Sequence, residues 1–196
     1  MSTKHMRLGI VLLAAGRSSR FGANKLLADF EGRPMVCRAL DAAKEVCAAR
    51  VAVVTGNEAI GQLAQTYGYS VIANHSPELG QSYSIRLGVS AMQDMDAVLL
   101  MVCDQPLLTG ESLARLLEWF VSGGKGIACL RDQSHMGNPA VFDVKYFPDL
   151  LALEGDRGAK GILRAHEDDL IVVDAIGKNE LSDADTPQML ERIKSE

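Results

Sequence analysis

The segment Leu13-Ala14-Ala15-Gly16-Arg17-Ser18-Ser19-Arg20-Phe21-Gly22-Ala23-Asn24-Lys25 concentrates residue types that hold phosphate. Ala14, Ala15 and Gly16 are small enough for a backbone to approach a ligand closely, and consecutive backbone N–H groups there can cradle phosphate oxygens. Arg20 offers a planar fork for bidentate phosphate binding. Lys25, nine residues beyond Gly16, adds a compact charge. Neither GxxxxGK[ST] nor GxGxxG is present, which removes the P-loop NTPases and the dinucleotide oxidoreductases. A second chemical group is Asp104, in Cys103-Asp104-Gln105-Pro106 at the end of an apolar run. Mg²⁺ takes one or two carboxylates and completes its shell with phosphate and water, so Asp104 is a candidate ligand for it.

Four further strings stand out. Asp183-Ala184-Asp185-Thr186-Pro187 reads on its own as a helix start with acidic residues ahead of it. Gly80-Gln81-Ser82-Tyr83-Ser84-Ile85-Arg86-Leu87-Gly88 reads as a helix start with Ser82 as its cap. Gly155-Asp156-Arg157-Gly158-Ala159-Lys160 combines small backbone, a carboxylate and two cations, and Gly137-Asn138-Pro139-Ala140-Val141-Phe142 leads into a short apolar stretch. His75, His135 and His166 are isolated and read as surface residues; His135 is singled out because it neighbours Gly137-Asn138-Pro139.

The elements that must position these groups follow from periodicity. Continuous apolar runs at 7–15, 51–55 and 97–103 predict strands buried on both faces. Shorter strands are expected at 70–73, 126–130, 140–142 and 170–173. Pro34 is expected to open a helix whose stripe is Val36, Leu40, Ala43 and Cys47. Further helices are expected up to Tyr67, from Ser82–Ser84 through Met92, after the Thr109 cap, over 158–166, and from Thr186-Pro187 onward. Alternating strand and helix predicts an α/β fold of three layers, with a mostly parallel sheet and helices on both faces. In such a sheet ligands gather beyond the carboxyl ends of the strands, where the 13–25 loop and Asp104 both fall.

The chain has 196 residues, 47% apolar and 23% charged, and is expected to form one domain over 1–196. Its net charge of -5 excludes a broad cationic face, so neither nucleic acid nor an acidic membrane is an expected partner. Cys37, Cys47, Cys103 and Cys129 lack metal or redox spacing and read as reduced, mostly buried small hydrophobes. No apolar run approaches the ~20 residues of a membrane span, and Met1–Met6 has no signal-peptide core, so a cytoplasmic location is expected.

The string Leu13-Ala14-Ala15-Gly16-x-Ser18-x-Arg20-x-Gly22-x-x-Lys25 resembles the signature loop of the nucleotidyltransferases with a Rossmann-like fold. These include the molybdenum cofactor guanylyl- and cytidylyltransferases and the sugar-nucleotide and methylerythritol cytidylyltransferases. The resemblance implies that residues of about 7–105 bind the NTP and the remainder the acceptor. It implies nucleotide contacts at Leu13, Ala14, Ala15, Gly16, Arg20, Lys25, Gly80, Ser82, Ser84 and Asp104, with Arg20, Lys25 and Asp104 catalytic. Acceptor contacts fall to Asn138, Pro139, Asp156 and Gly158. The D-x-D-T-P string is similar to one in the molybdenum cofactor branch, which implies Asp185, and less directly Asp183, as partner of Asp104 on Mg²⁺. Ala-Ala-Gly after the first strand is associated in this family with CTP; Cys103 departs from the Gly more usual in the cytidylyl branch. The activity so implied is Mg²⁺-dependent transfer of CMP from CTP to the molybdopterin form of molybdenum cofactor, releasing pyrophosphate and giving molybdopterin cytosine dinucleotide. The recipient of the product would be a molybdoenzyme of the xanthine dehydrogenase type or its accessory chaperone. The alternatives are guanylyl transfer, transfer to a sugar or alditol phosphate, and a non-catalytic cofactor-delivery chaperone.

Overall fold

The computed structural model describes residues 6–16, 21–22, 24–133 and 135–195. Strand β1 (Leu8–Leu13) is buried at all six positions. A small hairpin, β2 (Asp29–Phe30) and β3 (Arg33–Pro34), follows the loop and leads into α1 (Val36–Lys44). Then come β4 (Arg50–Thr55), α2 (Glu58–Thr66), β5 (Ser70–Ala73), α3 (Gln81–Ser90), β6 (Ala97–Val102) and α4 (Gly110–Ser122). The last third contains β7 (Ile127–Arg131), β8 (Met136–Asp143), α5 (Phe147–Leu151), α6 (Lys160–Ala165), β9 (Leu170–Asp174) and α7 (Pro187–Lys194).

Seven strands form one sheet in the order β5-β4-β1-β6-β8-β7-β9. Strand β8 runs antiparallel to β6 and β7, and the remaining neighbours pair in parallel. Ile10 sits level with Val51 on one side and Leu99 on the other, so β1 is central and carries no solvent face. Because strand side chains alternate, one set points to each layer. Ile10, Leu12, Val53, Leu99 and Met101 pack against Leu40 of α1, Ile60 of α2, Leu113 and Leu116 of α4 and Leu190 of α7. Val11, Val54, Val98 and Leu100 face the opposite layer, with Ile85 and Val89 of α3, Phe147 and Leu150 of α5 and Ile162 and Leu163 of α6. Two-sided burial is the reason these strands read as unbroken apolar runs. Gly88 lets α3 close on β1, since a Cβ there would lie 2.3 Å from Val11 Cγ1.

The expected three-layer architecture is therefore observed, with local corrections. Pro34 does not open a helix. Glu31 (φ 54) and Gly32 (φ 81) form a two-residue turn, the positive-φ pair that suits a tight hairpin, and Pro34 closes that hairpin before α1 begins. Cys47 is exposed, because α1 ends at Lys44 and the helical stripe does not reach it; Cys37, Cys103 and Cys129 are buried. The strand expected at 140–142 extends over Met136–Asp143, and the helix expected at 158–166 is confined to Lys160–Ala165. The helix expected after the Thr109 cap is so capped, with Thr109 accepting from Ser112 N, and the helix expected from Thr186-Pro187 onward is capped by Thr186, which accepts from Met189 N. Ser82 is no cap; Gly80 takes that position without a side-chain bond. Among the described residues no helix is long and apolar enough to cross a membrane.

Candidate active site at the carboxyl edge of the sheet

Strands β1 and β6 are neighbours in register, Leu13 level with Val102, so their outgoing loops leave the sheet side by side. The β1 loop is anchored by Ala14 N donating to Val54 O and by Thr55 Oγ1 donating to Ala14 O at 3.1 Å. Residues 17–20, which include Ser18 and Arg20, lie outside the described residues. The chain then enters a single turn, Lys25–Leu27, capped by the Asn24 side chain, which accepts from Leu26 N. That turn aims Lys25 across the sheet edge. Its Nζ donates to Asp104 Oδ2 at 2.6 Å and to Asp185 Oδ1 at 2.7 Å. Burial works to lower the Lys25 pKa, but the charges and hydrogen bonds of Asp104 and Asp185 outweigh it and leave it above the ordinary lysine value. A positive charge is thus fixed between two carboxylates that are 79 and 160 residues away in sequence.

Asp185 reaches this point because the segment before α7 is tied to the segment after β6. Ala184 N donates to Asp104 O at 2.8 Å. The Gln105 amide donates to Leu181 O and to Asp183 Oδ1 at 3.0 Å, and Leu181 N donates to Asp132 Oδ2. One residue further back, the buried Glu180 carboxylate accepts from Thr109 N, Thr109 Oγ1 and Ser112 Oγ, and from Gly177 N. The N-terminal cap of α7 is Thr186 and not Asp185, which leaves the Asp185 carboxylate directed at Lys25. Asp183 has its pKa raised, first by burial and then by the negative charge of Asp104. Asp104 Oδ1 is buried and has no hydrogen-bond partner among the described residues. No group of three or more His, Cys, Asp or Glu side chains among the described residues is arranged to hold a metal ion by itself.

Two cavities meet at Asp104. One of about 390 Å³ is lined by Ala15, Gly16, Lys25, Gly80, Ser84 and Asp156 among others. The other, about 320 Å³, is lined by His135, Gly137, Asn138, Gly158, Lys160 and Asp183 among others. Leu13, Gln81, Val102 and Asp104 border both. A third, of about 310 Å³, lies over Ala14, Gly16, Asn57, Asn74 and His75. Most of the residues singled out from the sequence therefore converge. Among the described candidate site residues, three do not line these cavities: Asp185, which faces Lys25; Pro139, which is buried; and Ser82. The Ser82 hydroxyl is buried and donates to Gly155 O at 2.6 Å. Its work is to dock the 155–158 loop on α3, where Gly80 is also required, since a Cβ would lie 2.6 Å from Gly155 O. Asp156 accepts from Gln81 N and borders the Lys25 cavity, not the one holding Asn138 and Gly158. Asn138 Oδ1 accepts from Val102 N, which fixes the second cavity to the end of β6.

Sequence reasoning missed Gln81, Gln105, Asp132, Lys160 and Glu180. Gln81, Gln105 and Lys160 stood inside strings already singled out. Glu180 and Asp132 carried no local signal, because their partners are 71 and 49 residues distant.

A three-layer α/β fold with a small-residue loop, a lysine, a carboxylate after a strand end and a second one ahead of the last helix, all at one sheet edge, points to a nucleotidyltransferase. The chain belongs to the family of the MobA-like NTP transferase domain, whose model matches residues 10–170. It is 27% identical over 196 residues to the purine catabolism protein PucB of Bacillus subtilis (strain 168), covering 94% of each chain. It is 31% identical over 139 residues to the bifunctional protein GlmU of Janthinobacterium sp. (strain Marseille), covering 69% of this chain and 30% of GlmU. The match thus spans less than a third of that relative. The crystal structure of Rv0371c from Mycobacterium tuberculosis H37Rv shares the fold at a TM-score of 0.81 and 24% identity, covering 97% and 98% of the two chains.

Proposed function

We propose that this nucleotidyltransferase moves CMP from CTP to a terminal phosphate of molybdopterin, releasing pyrophosphate. The observation that carries the reading is Asp104, set between a cavity bordered by Ala15-Gly16 and Lys25 and a second one bordered by Asn138, Gly158 and Lys160. Nucleotide in the first and acceptor in the second would put the α-phosphorus and the attacking oxygen on either side of that carboxylate. The acceptor phosphate is already an anion and needs no general base, so catalysis reduces to positioning and charge neutralisation. Lys25 and Arg20 hold the departing pyrophosphate; Lys160 and Asn138 orient the acceptor.

The carboxylate set suits Mg²⁺. Asp104 has an orphaned buried oxygen, its other oxygen already faces a cation, and two carboxylates completed by phosphate and water are what this ion takes. Asp104 and Asp185 would hold it, and when bound it supplies charge neutralisation at the reacting phosphate. A structure of Rv0371c in complex with manganese supports a divalent cation in this fold. The end-to-end likeness to PucB, a purine catabolism protein, supports a recipient molybdoenzyme of the xanthine dehydrogenase type. Ala14-Ala15-Gly16 supports CTP over GTP.

The test is a thermal-shift titration with each NTP and Mg²⁺, followed by pyrophosphate release from CTP with molybdopterin present. CTP should raise the melting temperature most, by the linkage of ligand binding to folding. A larger shift with GTP would reassign the base. Release with a sugar phosphate and none with molybdopterin would reassign the acceptor.

A further inference from the structure

The Lys25 ammonium occupies the charge position of the site. Its Nζ is bonded to Asp104 Oδ2 at 2.6 Å and to Asp185 Oδ1 at 2.7 Å, and its side chain is only 12% exposed. A divalent cation held by the same two carboxylates would lie against that ammonium. Two cations gathered on the same pair of carboxylates repel, the more so where burial limits screening by water. The ammonium and the metal are therefore mutually exclusive at this point. Lysine is suited to such an exchange: its four-carbon stem is flexible and its charge is not tied to a rigid fork. Lys25 also borders the cavity assigned above to the nucleotide, which gives the displaced ammonium anionic phosphate oxygens to move to.

We propose that Lys25 is a placeholder for the divalent cation: it neutralises Asp104 and Asp185 in the nucleotide-free protein and leaves them for the phosphates of the incoming NTP as the metal enters. The proposal rests on the reading of Asp104 and Asp185 as the metal-binding carboxylates. Metal alone must displace the ammonium from Asp104 and Asp185 with no phosphate at hand to receive it, so it binds weakly. Nucleotide supplies the new partners, so metal and nucleotide bind with positive coupling, and by reciprocity each tightens the other. One consequence is that the carboxylates are never left as a bare anionic pair that collects stray cations between turnovers.

The experiment uses Mn²⁺ alone, without nucleotide, titrated into the full chain and followed by the EPR signal of the free ion. The proteins compared are wild type, Lys25→Met, Lys25→Arg and Asp104→Asn, and Asp104→Asn combined with Lys25→Met; thermal melts confirm that each is folded. Lys25→Met should bind Mn²⁺ at least about tenfold more tightly than wild type, a coupling of ordinary size. Lys25→Arg, which keeps the charge, should remain as weak as wild type, and Asp104→Asn should abolish the gain seen with Lys25→Met. If Lys25→Met binds Mn²⁺ no better than wild type while Asp104→Asn removes what binding there is, the placeholder role is overturned and the carboxylates stand as metal ligands. If the tightening survives Asp104→Asn, the ion sits elsewhere and the metal reading falls with the proposal. Should Lys25→Met fail to fold, Lys25→Arg binding Mn²⁺ tenfold more tightly than wild type would overturn the proposal by itself.

Discussion

Glu180→Ala is expected to destabilise the protein and to loosen the site without touching it. The Glu180 carboxylate is 2% exposed. It accepts from Thr109 N at 3.1 Å, from Thr109 Oγ1 and Ser112 Oγ at 3.0 Å each, and from Gly177 N. Those donors include the first turn of α4, where a negative charge is favoured by the helix dipole. Removing the acceptor strands the Ser112 hydroxyl, which is fully buried, and each buried donor left unmade costs about 1–3 kcal/mol. The Thr109 donors lie nearer solvent and recover part of their loss to water. The sum is about 3 kcal/mol, the lower end of the range for breaking a buried charged network. For a chain of this length that corresponds to a fall in Tm of roughly 6–12 °C. Urea titration followed by circular dichroism measures it as a lower midpoint at unchanged slope. Glu180→Gln should lose less, because one amide oxygen still accepts. Since Leu181 to Asp185 hang from this clamp, Asp185 should also be held less firmly, and Mn²⁺ affinity in the presence of CTP should drop while the protein is still folded. A loss under about 1 kcal/mol for Glu180→Ala would refute the ledger of donors on which the argument rests.

Asp104→Asn should reduce transfer at least about a hundredfold, the scale of one electrostatic catalytic element, with little change in melting temperature; near-normal turnover at saturating Mg²⁺ would make the carboxylate structural. Lys25→Ala should weaken CTP binding in the presence of Mg²⁺ and leave CMP binding nearly unchanged, because CMP lacks the phosphates assigned above to the ammonium; equal losses in calorimetry would move Lys25 to the α-phosphate. Asp169 links Lys145, Tyr146 and Gly126, and its pKa is lowered to about 2, chiefly by the Lys145 and Tyr146 hydrogen bonds. A depressed carboxylate contributes stability that is present above its unfolded pKa of about 4 and is lost as pH falls through the folded value. Acid unfolding of wild type should therefore steepen between about pH 4 and pH 2, and Asp169→Asn should flatten that limb; an unchanged limb would show the network to be inert.

The legible part of the molecule was the part with local periodicity or local chemistry. The buried strands at β1, β4 and β6 announced themselves because a strand covered on both faces has no position where a polar residue is tolerated. The 13–25 loop was legible because small residues, hydroxyls and cations cluster there within one turn of chain. The hairpin at 29–34 was misread because Pro34 suits both a helix start and an edge strand, and the Glu31-Gly32 turn that decides between them was overlooked. Ser82 was misjudged for a different reason. A hydroxyl at a helix start can face a ligand or the interior, and only the Gly155 carbonyl arriving from 73 residues away selects the interior.

What the sequence by itself determined is the class of fold, the edge of the sheet where the candidate site lies, and the residue types gathered there, since these follow from apolar period and from spacing along one stretch of chain. Only the tertiary structure decided that Lys25, Asp104 and Asp185 form one ionic cluster, that Asp156 belongs to the lysine-side cavity, and that Glu180, Gln105 and Asp132 hold the carboxylate segment in place. Each of these depends on contacts between segments far apart in the chain. Their ends meet because the parallel strands β1 and β6 place their outgoing loops side by side and the chain returns across the sheet before α7. A charge carries no record in sequence of which distant charge it will face; burial at a shared sheet edge makes that choice, because an unpaired ion there is costly and a paired one is not.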